Sequence, residues 1–302
     1  RESMAQGQNP KVCLALSGGG ARGCAHIGVL KVFEREHLPI DCIAGTSFGA
    51  LVGGLYAIGY TANQIEHIMA HQDWNGIFSD APQRRWTPLI ERRDARYQAQ
   101  VSFKGWSPEL PGGLLGGQRL TEALYTLTAG QMLRAEFDFD RLPVQFRAVA
   151  ANLIDGKAYI FRKGSMATAL RASMAIPLLF TPLEKDGMLL VDGGLADNLP
   201  TDVARAMGAD IVIAVDVTSP LLRKEEIRSF INVVDQALSL RMKQNEEESL
   251  KLASLVLKPD LESFAFNDYT KTAAISARGE EEANRRLDAL KTLLSGAEPR
   301  PR

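Results

Sequence analysis

This sequence predicts an α/β fold built on parallel strands, and three observations carry that expectation. First, residues 11–17, 40–44 and 210–215 are short, nearly unbroken apolar runs. Strands covered on both faces of a parallel sheet read this way. Second, the first two runs end in glycine-rich turns that lead straight into helical patterns, so a strand–loop–helix unit occurs twice. Third, the apolar spacing between the strands has a helical period.

The bulk composition bounds the rest. The chain has 302 residues, of which 45% are hydrophobic and 24% charged, which is ample for a core and ordinary for a globular protein. Its net charge of −1 argues against nucleic acid as the main partner. No apolar run reaches the ~18 residues of a membrane-spanning helix. Cys13, Cys24 and Cys42 are an odd count without a C-x-x-C pair, so no disulfide framework or metal site is expected. Cys13 and Cys42 fall in expected strands, where a free cysteine acts as a small apolar residue. Residues 1–10 read as a flexible N-terminal segment and 296–302 as a linker-like end. Both ends look like cut points of a longer protein.

The first strand, 11–17, runs into Gly18-Gly19-Gly20-Ala21-Arg22-Gly23, and a helix is expected over 24–36. Bare N–H groups at a helix start make a ready anion site. Two chemistries fit that loop. Gly18, Gly20 and Gly23 match the G-x-G-x-x-G dinucleotide fingerprint, which also wants an acidic residue at the end of the second strand. Here that strand ends in Gly45-Thr46-Ser47, and Asp41 lies at its beginning. The other use is an oxyanion hole, with N–H groups aimed at a developing negative oxygen.

Gly45-Thr46-Ser47-Phe48-Gly49 sits between a strand and an apolar helix. Strand, G-x-S-x-G and helix together make a nucleophile elbow, with Ser47 lifted out of the sheet. The alternative is a plain glycine turn with a packing serine. Parallel first and second strands would bring both glycine loops to the same carboxyl edge of the sheet, where ligands bind. Thr61 and Gln64 then form a capping box for a helix ending near His71.

Residues 74–117 differ in character. They hold Trp74, Trp86 and Trp106 among aliphatic side chains, with Arg84, Arg85, Arg92, Arg93, Arg96 and Lys104 interleaved. Against Glu91 and Asp94, the stretch 84–104 carries +4. This mixture suits a lid that touches a lipid surface, with Trp74, Trp86, Trp106 and Arg84, Arg85, Arg92, Arg93 as its contacts. The alternative is an insertion whose tryptophans pack on the core.

A helix over 121–132 comes next, followed by a strand over 144–151. Asp155-Gly156 signals a hairpin to a strand over 158–161. Ser165 caps a helix that ends before Pro177. A second hairpin turns at Asp186-Gly187 and delivers Asp192-Gly193-Gly194 at a strand end. That places a carboxylate for close approach to another loop, although Asp-Gly is also a common turn. A short helix over 201–207 precedes the 210–215 strand. A long helix over 225–253 follows, with Ile227, Ile231, Val234 and Leu238 as an apolar stripe. That stripe is the basis for expecting a homodimer, with packing on the sheet as the alternative. A last strand, 255–257, and an amphipathic helix, 276–294, complete the chain.

A serine needs a base. The chain has four histidines, His26, His37, His67 and His71, and none after His71, so the order serine, acid, histidine cannot be completed with Asp192 as the middle member. His26 is the one histidine near the glycine loop. A serine–aspartate pair remains, with the aspartate made more basic by desolvation.

Four blocks occur in order: Gly18-Gly19-Gly20-Ala21-Arg22-Gly23, Gly45-Thr46-Ser47-Phe48-Gly49, Ala172-Ser173-Met174-Ala175-Ile176-Pro177 and Asp192-Gly193-Gly194. Together they resemble the patatin-like phospholipases over about residues 11–217. The resemblance implies a three-layer α/β/α sandwich with a mainly parallel sheet. It implies a catalytic pair of Ser47 and Asp192, and an oxyanion loop at Gly18, Gly19, Gly20 and Arg22. Gly23, Gly45, Gly49, Pro177, Gly193 and Gly194 support those motifs. It implies hydrolysis of phospholipid acyl esters at a membrane surface, without metal or other cofactor. The catalytic domain would span 11–295. The chain also resembles the bacterial branch, including secreted passengers joined by a linker to an outer-membrane barrel. A secreted or cell-surface location follows from that resemblance, with a cytoplasmic one as the alternative. A phospholipid- or phosphoinositide-binding module without turnover, or a dinucleotide enzyme, are the competing functions.

Overall fold

The computed structural model describes residues 9–77, 102–104, 107–109, 113–218, 221–225, 227–228 and 230–295. Its strands are β1 (Val12–Leu16), β2 (Cys42–Thr46), β3 (Ser102–Lys104), β4 (Ser107–Glu109), β5 (Gly113–Leu115), β6 (Gln145–Asn152), β7 (Ala158–Phe161), β8 (Leu178–Phe180), β9 (Leu183–Lys185), β10 (Met188–Asp192), β11 (Ile211–Val215) and β12 (Leu255–Leu257). The helices are α1 (Ala25–Arg35), α2 (Phe48–Ala57), α3 (Ala62–His71), α4 (Trp74–Ile77), α5 (Gln118–Arg134), α6 (Met166–Ser173), α7 (Thr201–Ala206), α8 (Phe230–Leu252), α9 (Thr272–Arg285) and α10 (Leu287–Leu293).

Strands β12, β11, β1, β2 and β6 lie side by side and all pair in parallel. Antiparallel β7 covers one edge of β6. The other edge is shared. β2 pairs along residues 145–149 of β6, and antiparallel β10 takes over along 150–152. β9 then pairs with β10.

Side chains on successive strand residues point to opposite faces, and β1 divides accordingly. Val12, Leu14 and Leu16 join a large core with α1, α2, α3, α6 and α9. Cys13 and Ala15 join a smaller cluster with Leu199, Val203 and Ala204, around α7 on the opposite face. The result is the expected α/β sandwich, with helices on both faces of a mixed sheet.

Local chemistry accounts for the elements that frame the site. Thr61 Oγ1 accepts the N–H of Gln64 at 3.3 Å, and Gln64 Oε1 accepts that of Thr61 at 2.9 Å, so the capping box of α3 is complete. Ser165 Oγ caps α6 by accepting from Thr168 N–H. Both Asp-Gly hairpins form where expected, linking β6 to β7 and β9 to β10. Among the described residues no helix is long and apolar enough to cross a membrane.

Several expectations change. β2 begins two residues later than the apolar run and continues through Gly45 and Thr46, because its register on β1 pairs Cys13 with Cys42 and Leu16 with Gly45. That register also sets Cys13 and Cys42 side by side, and the structure joins them as a disulfide rather than leaving both free. Cys24 remains a buried free thiol. The last helix is two, α9 and α10, because Arg286 leaves helical geometry (φ −99°, ψ 9°) between them.

Trp74 is not a surface residue. It is 7% exposed, donates its indole N–H to Met69 O at 2.8 Å and stacks on Tyr269 at 4.8 Å. A ring with so many core partners cannot also face a lipid surface. At the other end of the segment, β5 pairs with β8 and Leu115 packs on the core. Arg84, Arg85, Trp86, Arg92, Arg93 and Trp106 lie outside the described residues. So do the side chains of Ile231, Val234 and Leu238 on α8.

Candidate active site

Ser47 occupies the turn between β2 and α2 with φ 53° and ψ −123°. Positive φ is uncommon for a non-glycine residue and stores strain. The turn is tight because α2 starts at once and packs against the end of β1. A Cβ on Gly49 would stand 2.5 Å from Ser17 O, so only glycine fits there. Gly45 meets the first turn of the same helix, and Gly23 lies against the Phe48 ring. Phe48, Trp74 and Tyr269 form an aromatic cluster behind the turn, with Phe48 5.7 Å from Trp74 and 5.9 Å from Tyr269.

Asp192 ends β10 and is 3% exposed. Ser47 Oγ donates to its Oδ2 at 2.6 Å, and Gly194 N–H donates to its Oδ1 at 2.9 Å. Gly193 lets the turn pass close to Val149 O. Burial pushes the carboxyl from 3.8 up to about 6, against the opposing pull of Ser47 and the Gly194 N–H. The carboxylate is therefore a better proton acceptor than one in water, yet still ionised near neutrality.

The 172–177 block joins the two halves. Ser173 Oγ accepts the Ser47 N–H at 2.8 Å and donates to Val149 O at 2.5 Å. Ala175 O, two residues before Pro177, accepts the Asp192 N–H at 2.9 Å. Residue types alone gave no sign of the Ser173 contact, since any small residue suits the end of a helix.

The glycine loop reaches the same edge. Gly20 has φ +57°, and its Cα faces Phe266 too closely for any side chain. Two expected donors are already engaged. Gly18 N–H donates to Asn198 O at 3.2 Å, and Arg22 Nε donates to Phe264 O at 2.7 Å. With Ala21 N–H on Phe266 O at 2.8 Å, Arg22 braces the loop against residues 264–266. Gly19 and Gly20 carry the loop's remaining N–H groups.

His26 is fully buried, its Nε2 is 2.9 Å from Ser17 O, and burial pushes it down to about 4. It is a neutral core residue; the hydrogen-bond partner of Ser47 Oγ is Asp192. Asp41 accepts the Val12 N–H at the start of β2, the opposite end from the one where the dinucleotide pattern wants its acid. Asp197 follows Asp192 within the same turn region, and Asp216 directly follows β11. Burial pushes Asp197 up to about 8. Asp216 is held below its ordinary range despite burial, by Lys258 Nζ at 2.7 Å and by Thr218.

A serine on a strained turn, hydrogen-bonded to a buried carboxylate at the carboxyl edge of a mainly parallel sheet, defines an α/β protein with a serine–carboxylate site. The chain belongs to the patatin-like phospholipase family, whose model matches residues 14–205. That span contains both glycine loops, Ser47 and Asp192.

Among its relatives, an uncharacterized NTE family protein of Mycobacterium tuberculosis is 32% identical over 209 residues, covering 69% of this chain and 49% of that protein. Patatin-like phospholipase domain-containing protein 6 of Homo sapiens is also 32% identical, over 210 residues, covering 69% of this chain and 13% of that protein. The chain thus spans about half the length of the mycobacterial relative and much less of the human one. Among solved structures, VipD from Legionella pneumophila is similar at a TM-score of 0.49 and 15% identity, over 93% of this chain and 67% of that one.

Proposed function

We propose that this chain is a serine lipid acyl hydrolase of phospholipase A type. The observation that carries the reading is the 2.6 Å hydrogen bond from Ser47 Oγ to Asp192 Oδ2 on the strained turn. Membership of the patatin-like phospholipase family supports the substrate class.

In this reading Ser47 Oγ attacks the ester carbonyl while its proton passes to Asp192. The N–H groups of Gly19 and Gly20 hold the oxygen that becomes negative. The lysolipid leaves with the proton from Asp192. Asp192 then takes a proton from water, which cleaves the acyl-enzyme and frees the fatty acid. Residues 11–295 form the catalytic unit. The interior of the 74–117 segment is the membrane contact, and α8 carries a homodimer interface.

Two measurements test the chemistry. A fluorophosphonate should add once, at Ser47, as read by peptide mass spectrometry. A phospholipid with different chains at its two positions should yield a free fatty acid and a lysolipid. Absence of both products, with intact lipid still bound, would instead favour a lipid-binding module without turnover.

A further inference from the structure

Asn198 is a buried polar residue beside the site that the mechanism above leaves unused. It is 4% exposed, and neither its Oδ1 nor its Nδ2 has a hydrogen-bond partner. Buried side-chain amides are nearly always bonded, because an unmet donor or acceptor is costly. Its main chain, in contrast, is engaged: Asn198 O accepts the Gly18 N–H at 3.2 Å. That bond draws Asn198 against the glycine loop and occupies one of the loop's N–H groups.

The neighbouring glycines locate the side chain. A Cβ on Gly18 would stand 2.7 Å from Asn198 Oδ1 and 3.0 Å from Ser47 Cβ. A Cβ on Gly194 would stand 3.1 Å from Asn198 Oδ1 and 3.2 Å from Asp192 Oδ1. The amide therefore lies between the two glycine turns, next to both Ser47 and Asp192. Asp192 does not need it, since Ser47 and the Gly194 N–H already occupy its two oxygens. Both ends of the amide lack a partner, and its Nδ2 end is a donor; the acceptor that appears beside Ser47 during ester attack is the carbonyl oxygen. Half a turn of the amide exchanges its N and O without steric change, so Nδ2 can face that oxygen.

We propose that Asn198 is a catalytic residue, whose side-chain amide donates a hydrogen bond to the substrate oxygen that becomes negative when Ser47 attacks. It supplies the donor that the loop loses by binding Gly18 N–H to Asn198 O. The proposal rests on the reading of Ser47 as nucleophile. The amide keeps its own hydrogen throughout. The Ser47 Oγ–carbon bond forms, the carbonyl π pair moves to oxygen, and the serine proton goes to Asp192.

The test compares Asn198→Ala and Asn198→Asp with the parent on a small soluble ester. Both retain the main-chain bond to Gly18. Loss of one oxyanion donor lowers kcat by about 10²–10³-fold, with KM changed less than about threefold. A trifluoromethyl ketone, which forms a tetrahedral serine adduct, should bind each variant weaker by a similar factor to the kcat loss. A purely structural amide would lower activity and thermal stability together but leave adduct affinity per folded site unchanged, and that result overturns the proposal. So does a kcat within about threefold of the parent. If Asn198→Ala does not fold, Asn198→Asp, of equal size, decides by the same ketone affinity. Ser47→Ala separates the two readings. If it keeps activity, the nucleophile assignment fails; if it is dead while the Asn198 variants are fully active, only the amide assignment fails.

Discussion

Thr46 and Asp192 end their strands on neighbouring residues of a third strand: Thr46 stands opposite Val149, and Asp192 opposite Ala150. β2 runs parallel to β6 and β10 runs antiparallel, so the two strand ends converge head-on along one edge. Ser47 follows Thr46 directly. The bond between Ser47 and Asp192 is thus set by sheet register, and Ser173 pins it from behind by joining Ser47 N–H to Val149 O. A pair held this way is fixed before substrate arrives, which is what preorganised catalysis needs.

The first prediction concerns that pair. Ser47→Ala and Asp192→Asn should each lower kcat/KM for a soluble ester by at least about 10³-fold, and the double variant should be no worse than either alone. In Asp192→Asn the amide oxygen would still accept from the Gly194 N–H, so circular dichroism should be unchanged. Full activity in Asp192→Asn would break the assignment and turn attention to Asp197, since Asp216 is tied to Lys258.

The second prediction is a pH profile. The base form is the carboxylate, so kcat/KM should rise with pH through about 6 and level off above it. Stability runs the other way. The folded carboxyl lies above its ordinary 3.8, so the folded state holds this proton longer than the unfolded chain does. Its favourable contribution is complete below about 4 and lost as pH rises through about 6. Asp192→Asn should therefore melt higher than the parent at pH 7, with the gap closing by pH 4. Burial pushes His26 down to about 4, so His26→Gln should keep the limb near 6. Loss of that limb in His26→Gln would assign the titration to His26 instead of Asp192.

How much of this was legible in the sequence depends on range. The elbow was legible because a strand, a turn and a helix follow one another directly, from Cys42 to Ala57. Asp192 was legible as a carboxylate at the end of a hairpin strand. Ser173 and Asn198 were not, because their contacts are to Ser47 N–H and Gly18 N–H, far away in the chain. Pairing of Cys13 with Cys42 required the offset between two parallel strands, which residue types do not encode. Trp74 shows a different limit. An aromatic ring among aliphatic residues suits a lipid surface and a core equally, and only its partners Met69, Phe48 and Tyr269 decide between them.

The third prediction concerns α8. Val233 and Leu240 are seven residues apart on this helix, 54% and 48% exposed. Seven residues is nearly two full turns, so both lie on one face, a different face from the Ile231, Val234 and Leu238 stripe on which the sequence-based expectation of a dimer rested. Arg241 Nε donates to Leu195 O at 3.2 Å, which anchors the helix beside the turn after Asp192. Light scattering at micromolar concentration should give twice the 33.0 kDa chain mass. Val233→Asp with Leu240→Asp should return it to the monomer, with a melting temperature that no longer rises with protein concentration. A parent that already runs as a monomer rules out the interface.

The last prediction concerns the membrane. An enzyme that acts on phospholipids must draw one molecule from an aggregated surface, so it needs a contact beside its site. In the proposed reading, with Trp74 buried, the contact is sought in the interior of the 74–117 segment, where Arg84, Arg85, Arg92 and Arg93 flank Trp86 in the sequence. Each basic residue near an anionic bilayer contributes about 1 kcal/mol, and salt screens it. Sedimentation with vesicles should show binding that rises with the anionic lipid fraction and falls with ionic strength. Replacing the four arginines with glutamine should weaken that binding by at least about tenfold, while leaving hydrolysis of a small soluble ester within about twofold. Damage reaching Ser47 would lower both. If the quadruple variant binds anionic vesicles like the parent, the segment is a packed insertion and the enzyme meets lipid through another surface.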